Sequence, residues 1–93
     1  MLAQQPTDSF LNHALALEEI KIGNEASARL LFESLLQRDP EYIGSYYHLG
    51  KLLERQGEEP SAIAVFERGM KLAQQLGDQH ALNELRGAYD NLI

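Results

Sequence analysis

Residues 23–33 read GNEASARLLFE and residues 57–67 read GEEPSAIAVFE, so six of eleven residues are identical in two stretches that lie 34 positions apart. The same shift applied to residues 9–40 finds seven identities in 32 pairs, the seventh being Leu15 with Leu49. Chance would give roughly two identities at typical residue frequencies. The chain therefore contains an internal repeat with a period of 34 residues, and a period of this length is typical of repeat architectures.

Apolar residues recur three and four positions apart along the chain, which is typical of amphipathic helices, and no strand-like alternation competes with this pattern. Gly23 and Gly57 are suited to the C-terminal ends of helices, and Pro60 is suited to a first helical turn. Asp8 or Thr7 is able to cap the free N–H groups at the start of the first helix. The pattern predicts five helices, at about residues 8–22, 25–38, 42–56, 59–75 and 78–92.

The second copy of the repeat resembles the tetratricopeptide repeat, a helix–turn–helix unit with the signature W-x₂-L-G-x₂-Y…A-x₃-F…P. Its matching residues are Tyr46 in the Trp place, then Leu49, Gly50, Ala62 and Phe66 at the spacing of the signature. The small residues let two helices approach closely, and the phenylalanine fills the space that remains. The first copy matches through Leu15, Ala16, Ala28, Phe32 and Pro40, with Asn12 in the place of the aromatic residue.

The resemblance implies an all-α fold, an α-α superhelix of two tetratricopeptide-like helix–turn–helix repeats and a C-terminal capping helix. A single domain would span residues 1–93, with the repeats at about residues 8–40 and 42–75 and the capping helix at about residues 78–92. The last segment reproduces the spacing of a first helix after 36 residues, so two residues are inserted before it. The alternative is a five-helix bundle in which the similarity between the two copies arises by chance.

The composition excludes several classes of function. Fourteen acidic and eight basic residues give a net charge of −6, which argues against binding to nucleic acid or to an anionic membrane. The absence of cysteine excludes disulfides, thiolate metal sites and cysteine nucleophiles. No apolar run is long enough to cross a bilayer, and residues 1–6 lack the pattern of a secretory leader. The predicted location is therefore the cytoplasm.

The sequence carries no motif that indicates catalysis. It lacks an HExxH pair, a glycine-rich phosphate loop and a G-x-S-x-G turn. His13, His48 and His80 lie 35 and 32 residues apart, whereas paired metal ligands on a helix lie three or four apart. We therefore predict a protein that is not an enzyme and that has no cofactor and no metal site.

Tetratricopeptide proteins bind peptides or other proteins in a concave groove lined by the first helices of their repeats, so the resemblance implies a non-catalytic interaction module. At the family's spacing the groove would be lined by His13, Leu17, Lys21, Tyr47, Lys51, Arg55 and Asn83. Lys51 and Arg55 lie four residues apart beside Tyr47, and this basic stripe is suited to an acidic peptide. The alternative is that Arg55 merely pairs in water with Glu58 or Glu59.

The first predicted helix is apolar on more than one face, which exceeds what a single partner helix would bury. The excess is supplied by Phe10, Leu11, Leu17 and Ile20. An uncovered apolar patch marks either a binding surface or the place of a missing repeat. A second hypothesis is therefore a self-associating structural element, present as a weak homodimer, or a fragment of a longer repeat array.

Overall fold

The computed structural model describes residues 8–93, and within that range it contains α-helices and no strand. The helices are α1 (Ser9–Lys21), α2 (Glu25–Arg38), α3 (Gly44–Arg55), α4 (Glu59–Leu76) and α5 (Gln79–Asp90). The predicted all-α helical-repeat fold is confirmed, and no predicted helix end differs from the observed end by more than two residues. Thr7, the alternative cap of the first helix, and residues 1–6, which lack a leader pattern, lie outside the described residues.

The chain divides into two compact units, the first ending at Tyr42 and the second beginning at Ile43. In the first unit α1 packs against α2, and in the second unit α4 packs against both α3 and α5. Helix α3 also contacts α5 directly. The division falls next to the predicted end of the first repeat at about residue 40.

The turn between the two helices of each repeat has the same conformation in both units. Gly23 and Gly57 adopt φ angles of 90° and 80°, in the left-handed region that favours glycine. After each glycine, a backbone N–H reaches the carbonyl five residues back, from Asn24 to Glu19 at 2.8 Å and from Glu58 to Leu53 at 2.9 Å. These bonds satisfy carbonyl groups that the helix leaves unpaired, so the predicted helix ends at both glycines are confirmed.

Side-chain caps fix the starts of two helices. Asp8 Oδ1 accepts a hydrogen bond from the Leu11 N–H at 3.1 Å, and Asp78 Oδ1 accepts one from the Ala81 N–H at 3.0 Å. Each bond satisfies one of the free donors in the first turn. The predicted cap at Asp8 is therefore confirmed.

The core of the first unit includes two alanines and a phenylalanine, together with Leu35 and Leu36. Ala16 on α1 and Ala28 and Phe32 on α2 are fully buried. The ring of His13 lies edge-on to the ring of Phe32, with 5.8 Å between centroids, and lies 5.3 Å from the ring of Tyr42. His13 is thus part of an aromatic cluster with Phe32 on α2 and with Tyr42, which follows α2.

Two glycines bring the helices of the second unit close together. A Cβ atom at Gly50 on α3 would overlap the buried ring of Phe66 on α4. A Cβ atom at Gly69 on α4 would lie 2.8 Å from Tyr46 Cβ and 3.0 Å from Leu85 Cδ1. A glycine inside a helix costs about 1 kcal/mol relative to alanine, and the close helix contacts offset that cost. The predicted reason for Gly50, close helix packing, is confirmed.

Helix α5 has a narrow apolar face and a broad polar one. Leu85 and Ala88 are buried, and the Tyr89 hydroxyl donates a hydrogen bond to Glu67 Oε2 on α4 at 3.1 Å. The polar and exposed residues of α5 and its C-terminal end are Gln79, His80, Asn83, Glu84, Arg86, Asp90 and Asn91. A polar outer face of this kind is what a terminal helix of a repeat protein needs in water.

Candidate binding surfaces

Tyr47, Lys51 and Glu54 share one face of α3, because they follow one another at intervals of four and three residues. All three side chains are partly buried. Lys51 Nζ lies 3.4 Å from Glu54 Oε1. That oxygen is shielded from solvent and accepts no hydrogen bond, so the contact with the ammonium group is electrostatic. Arg55, the second residue of the predicted basic stripe, is exposed.

His48 lies beside this face and is partly buried. Its ring makes an edge contact with the ring of Tyr47, with 5.5 Å between centroids. Burial lowers the pKa of His48 below its usual value, and the carboxylate of Glu84 on α5 opposes that shift by favouring the charged imidazolium. His48 therefore favours the neutral form in the folded chain more than it does in the unfolded chain.

The lowered pKa of His48 predicts that acid destabilises the fold. The unfolded chain binds a proton at His48 more readily than the folded chain, so the free energy of unfolding should fall as the pH drops below about 6.5. The measurement is urea unfolding between pH 8 and pH 5. A His48→Gln variant should have a shallower pH dependence than the parent above the range where carboxylates titrate. Equal slopes in the His48→Gln variant and the parent would contradict this assignment.

The predicted groove residue on α5 is Asn83, which is exposed. Asn83 Oδ1 accepts a hydrogen bond from Gln79 Nε2 at 2.9 Å, one helical turn earlier. The compact unit that contains Asn83 also contains the α3 residues Tyr47, Lys51 and Arg55. Within that unit α3 and α5 are in contact.

The predicted groove residues on α1 differ in their environments. His13 is partly buried in the aromatic cluster with Phe32 and Tyr42, and Leu17 is also partly buried. Lys21 is exposed, and its Nζ lies 3.6 Å from Glu18 Oε2. Of these three residues, Lys21 is the one whose charged group lies in solvent.

The apolar residues of α1 are more exposed than those of any other helix. Phe10 is 67% exposed and Leu11 is also exposed, whereas Leu17 and Ile20 are partly buried. Of the four residues predicted to form the self-association surface, two are therefore exposed and two are partly buried.

Leu15 on α1 and Ile22 just after it are also exposed, although they are not among the four residues predicted for self-association. Leu15 is 47% exposed, although Leu49 at the equivalent position of the second unit is only 4% exposed. Helix α3 packs against both α4 and α5, and the consensus spacing that suggested burial for Leu15 contains no information about the number of neighbouring helices.

Two kinds of site are absent from residues 8–93. No helix in this range is both long enough and apolar enough to span a membrane. No cluster of three or more histidine, aspartate or glutamate side chains in the same range could hold a metal ion.

Comparison with known proteins places the chain in a family. No protein-family model and no curated protein matches it. The crystal structure of a tetratricopeptide repeat domain protein from Salinibacter ruber is 42% identical, with a TM-score of 0.88, and the match covers 91% of this chain and 94% of that chain. A solution NMR structure of a tetratricopeptide repeat domain protein from the same organism is 42% identical, with a TM-score of 0.89, covering 94% of this chain and 88% of that chain. With this identity over nearly the whole of both chains, the protein belongs to the tetratricopeptide repeat family.

Proposed function

We propose that the chain is a non-catalytic module, made of two repeats and a capping helix, that binds an acidic peptide or protein segment. A tetratricopeptide fold is that of a protein-interaction module. The segment binds to the α3 face formed by Tyr47, Lys51 and Arg55, together with Asn83 on α5. On the first unit, taken by itself, the candidate binding residues are His13, Leu17 and Lys21.

The observation that carries this proposal is the loose ion pair between Lys51 and Glu54. Their 3.4 Å separation exceeds the roughly 2.7–2.9 Å of a charge-assisted hydrogen bond. A lysine ammonium has three N–H donors, so Lys51 retains donors for a carboxylate of the bound segment. Arg55, four residues after Lys51, adds an exposed guanidinium that suits the planar geometry of a carboxylate.

Tyr47 supplies the apolar part of the same surface. Its ring is partly buried and is held against His48, so little side-chain entropy remains to be lost when a segment packs against it. An aromatic ring beside two basic residues fits a segment in which an acidic residue lies close to an apolar one.

The test is binding to labelled peptides of equal length whose net charge runs from acidic to basic. We expect the acidic peptides to bind best and their affinity to fall with added salt, because exposed charges are screened within about 8–10 Å. Reversal of both charges, Lys51→Glu with Arg55→Glu, should lower affinity about tenfold or more, since ~1.4 kcal/mol corresponds to a factor of ten. The melting temperature of the variant should fall, because Lys51→Glu places a second carboxylate beside the shielded Glu54 oxygen, so affinity is measured at a temperature where circular dichroism shows that the variant is folded.

The matched control is Arg38→Glu with Lys71→Glu, which changes the net charge equally at exposed positions on the second helices of the repeats. It should leave affinity near that of the parent. Glu54→Gln should raise affinity for acidic peptides, because it removes the carboxylate that competes for Lys51. Two results would show that the basic stripe takes no part in binding. One is unchanged binding in the Lys51→Glu, Arg55→Glu variant, and the other is that the parent binds basic peptides more tightly than acidic ones.

A further inference from the structure

His48 lies on the side of α3 that carries the basic stripe. Successive residues turn by about 100° around an α-helix, so Lys51, Arg55 and His48 follow Tyr47 at about 40°, 80° and 100°. The four positions therefore form one continuous arc of the helix surface. We propose that protonation of His48 raises the affinity of this arc for an acidic segment, so that the segment binds more tightly in mildly acidic solution than in neutral solution.

Two contacts hold His48 at the edge of the proposed binding surface. Its ring meets the ring of Tyr47 nearly at a right angle, with 82° between the planes and 5.5 Å between centroids. From α5, which packs against α3, the carboxylate of Glu84 acts on the imidazole. Glu84 directly follows Asn83, the residue that α5 contributes to the proposed surface. Because His48 is only partly buried, a segment that packs on Tyr47 comes close to the imidazole.

Charges of both signs surround His48 within the second unit. On α3, Lys51 and Arg55 share its arc, whereas Glu54 lies at the far end of the arc and is held against Lys51 at 3.4 Å. On α5, Glu84 favours the imidazolium, but burial has the larger effect and lowers the pKa of His48. A neutral His48 leaves the charge of Glu84 to repel an acidic segment. The imidazolium offsets that charge and adds a third cation to the arc.

A proton on His48 and a carboxylate of the bound segment stabilise each other. An anion beside the imidazole favours its charged form, so binding should raise the pKa of His48. The coupling is reciprocal, and the proton strengthens the binding of the anion by the same factor. If the pKa rises by one unit, the affinity below both pKa values is about tenfold higher than the affinity above both. The inference rests on the proposed function, because it adds regulation to the same surface.

The first experiment measures the affinity of the parent for a peptide whose acidic residues are cysteic acid. Its sulfonates stay charged from pH 8 to pH 5.5, a range that lies above the usual pKa values of carboxylates, near 4. We expect affinity to rise about tenfold across this range, at a fixed salt concentration and with circular dichroism to show that the chain is folded at each pH. A peptide with glutamine at the same positions should show no rise. His48→Gln should lose most of the rise and bind like the parent at pH 8.

The second experiment needs no variant with altered binding, because it follows the ring of His48 in the parent by NMR. The signal is identified by its absence from the spectrum of His48→Gln. We expect the pKa of His48 to be about one unit higher with saturating cysteic acid peptide than without it. An unchanged or lower pKa in the complex, or an equal rise in affinity in the parent and in His48→Gln, would overturn the proposal.

Failure of this inference is distinguishable from failure of the proposed function. Binding that is weakened by Lys51→Glu with Arg55→Glu but does not vary with pH would overturn the role of His48 and leave the basic stripe in place. An absence of binding to acidic peptides at every pH would overturn both.

Discussion

Replacing Phe66 with alanine is expected to lower the free energy of unfolding by about 3–5 kcal/mol, the range observed for large aromatic residues in protein cores. The ring of Phe66 is fully buried and lies directly against Gly50. Proteins have roughly 0.05–0.15 kcal/mol of stability per residue, so the loss would remove a large share of what a chain of 93 residues has. The measurement is urea unfolding followed by far-ultraviolet circular dichroism.

The chain offers a matched control for this substitution in Phe10, which is 67% exposed. Phe10→Ala changes the same side chain in the same way, but it should cost about 0.5 kcal/mol or less at concentrations where the chain is monomeric. Phe32→Ala, at the equivalent buried position of the first unit, should behave like Phe66→Ala. If Phe66→Ala unfolds at the same urea concentration as the parent, Phe66 is not the central core residue of the second unit.

Replacing Gly50 with alanine is expected to destabilise the fold by about 3 kcal/mol, at the upper end of the usual range for overpacked cores. The added methyl group would overlap the ring of Phe66, which is fully buried. Alanine favours the helix by about 1 kcal/mol over glycine, so the cost of the overlap is larger than the net loss. Urea unfolding under the same conditions measures the effect.

Two variants separate the overlap from other effects of the substitution. Gly87→Ala makes the same change inside α5, where a Cβ atom meets nothing within 4 Å, and it should raise stability by about 0.5–1 kcal/mol. In a Phe66→Leu background, Gly50→Ala should cost less than it does in the parent, because the shorter side chain leaves room for the methyl group. A Gly50→Ala variant as stable as Gly87→Ala would contradict the close contact between α3 and α4.

The parts of the fold that local rules determine could be predicted from the sequence. Gly23 and Gly57 allow a backbone conformation that other residues avoid, and Asp8 supplies a side-chain acceptor at a helix start, so each marks a helix end without any tertiary information. Gly50 and Phe66 could be paired because both belong to one repeat signature, whose spacing specifies which helix positions meet.

The candidate sites were harder to predict, because side-chain partners depend on packing between helices. The spacing of Tyr47 and Lys51 predicted that they share one face of α3, but it did not indicate that Glu54 lies 3.4 Å from Lys51. His13 was predicted to line a groove, and its ring also contacts Phe32 and Tyr42. Leu15 occupies a consensus position yet is exposed, since burial at that position depends on whether a further helix packs against α1.

The order of helix contacts has a consequence for the speed of folding. The main contacts in each unit join helices that are neighbours in the sequence, α1 with α2, α3 with α4 and α4 with α5. Short connections mean that little entropy is lost in closing each loop before its contacts form. Chains whose contacts are mostly local cross the folding barrier in microseconds to milliseconds. Partly folded molecules with exposed apolar helix faces should therefore be short-lived as the chain folds.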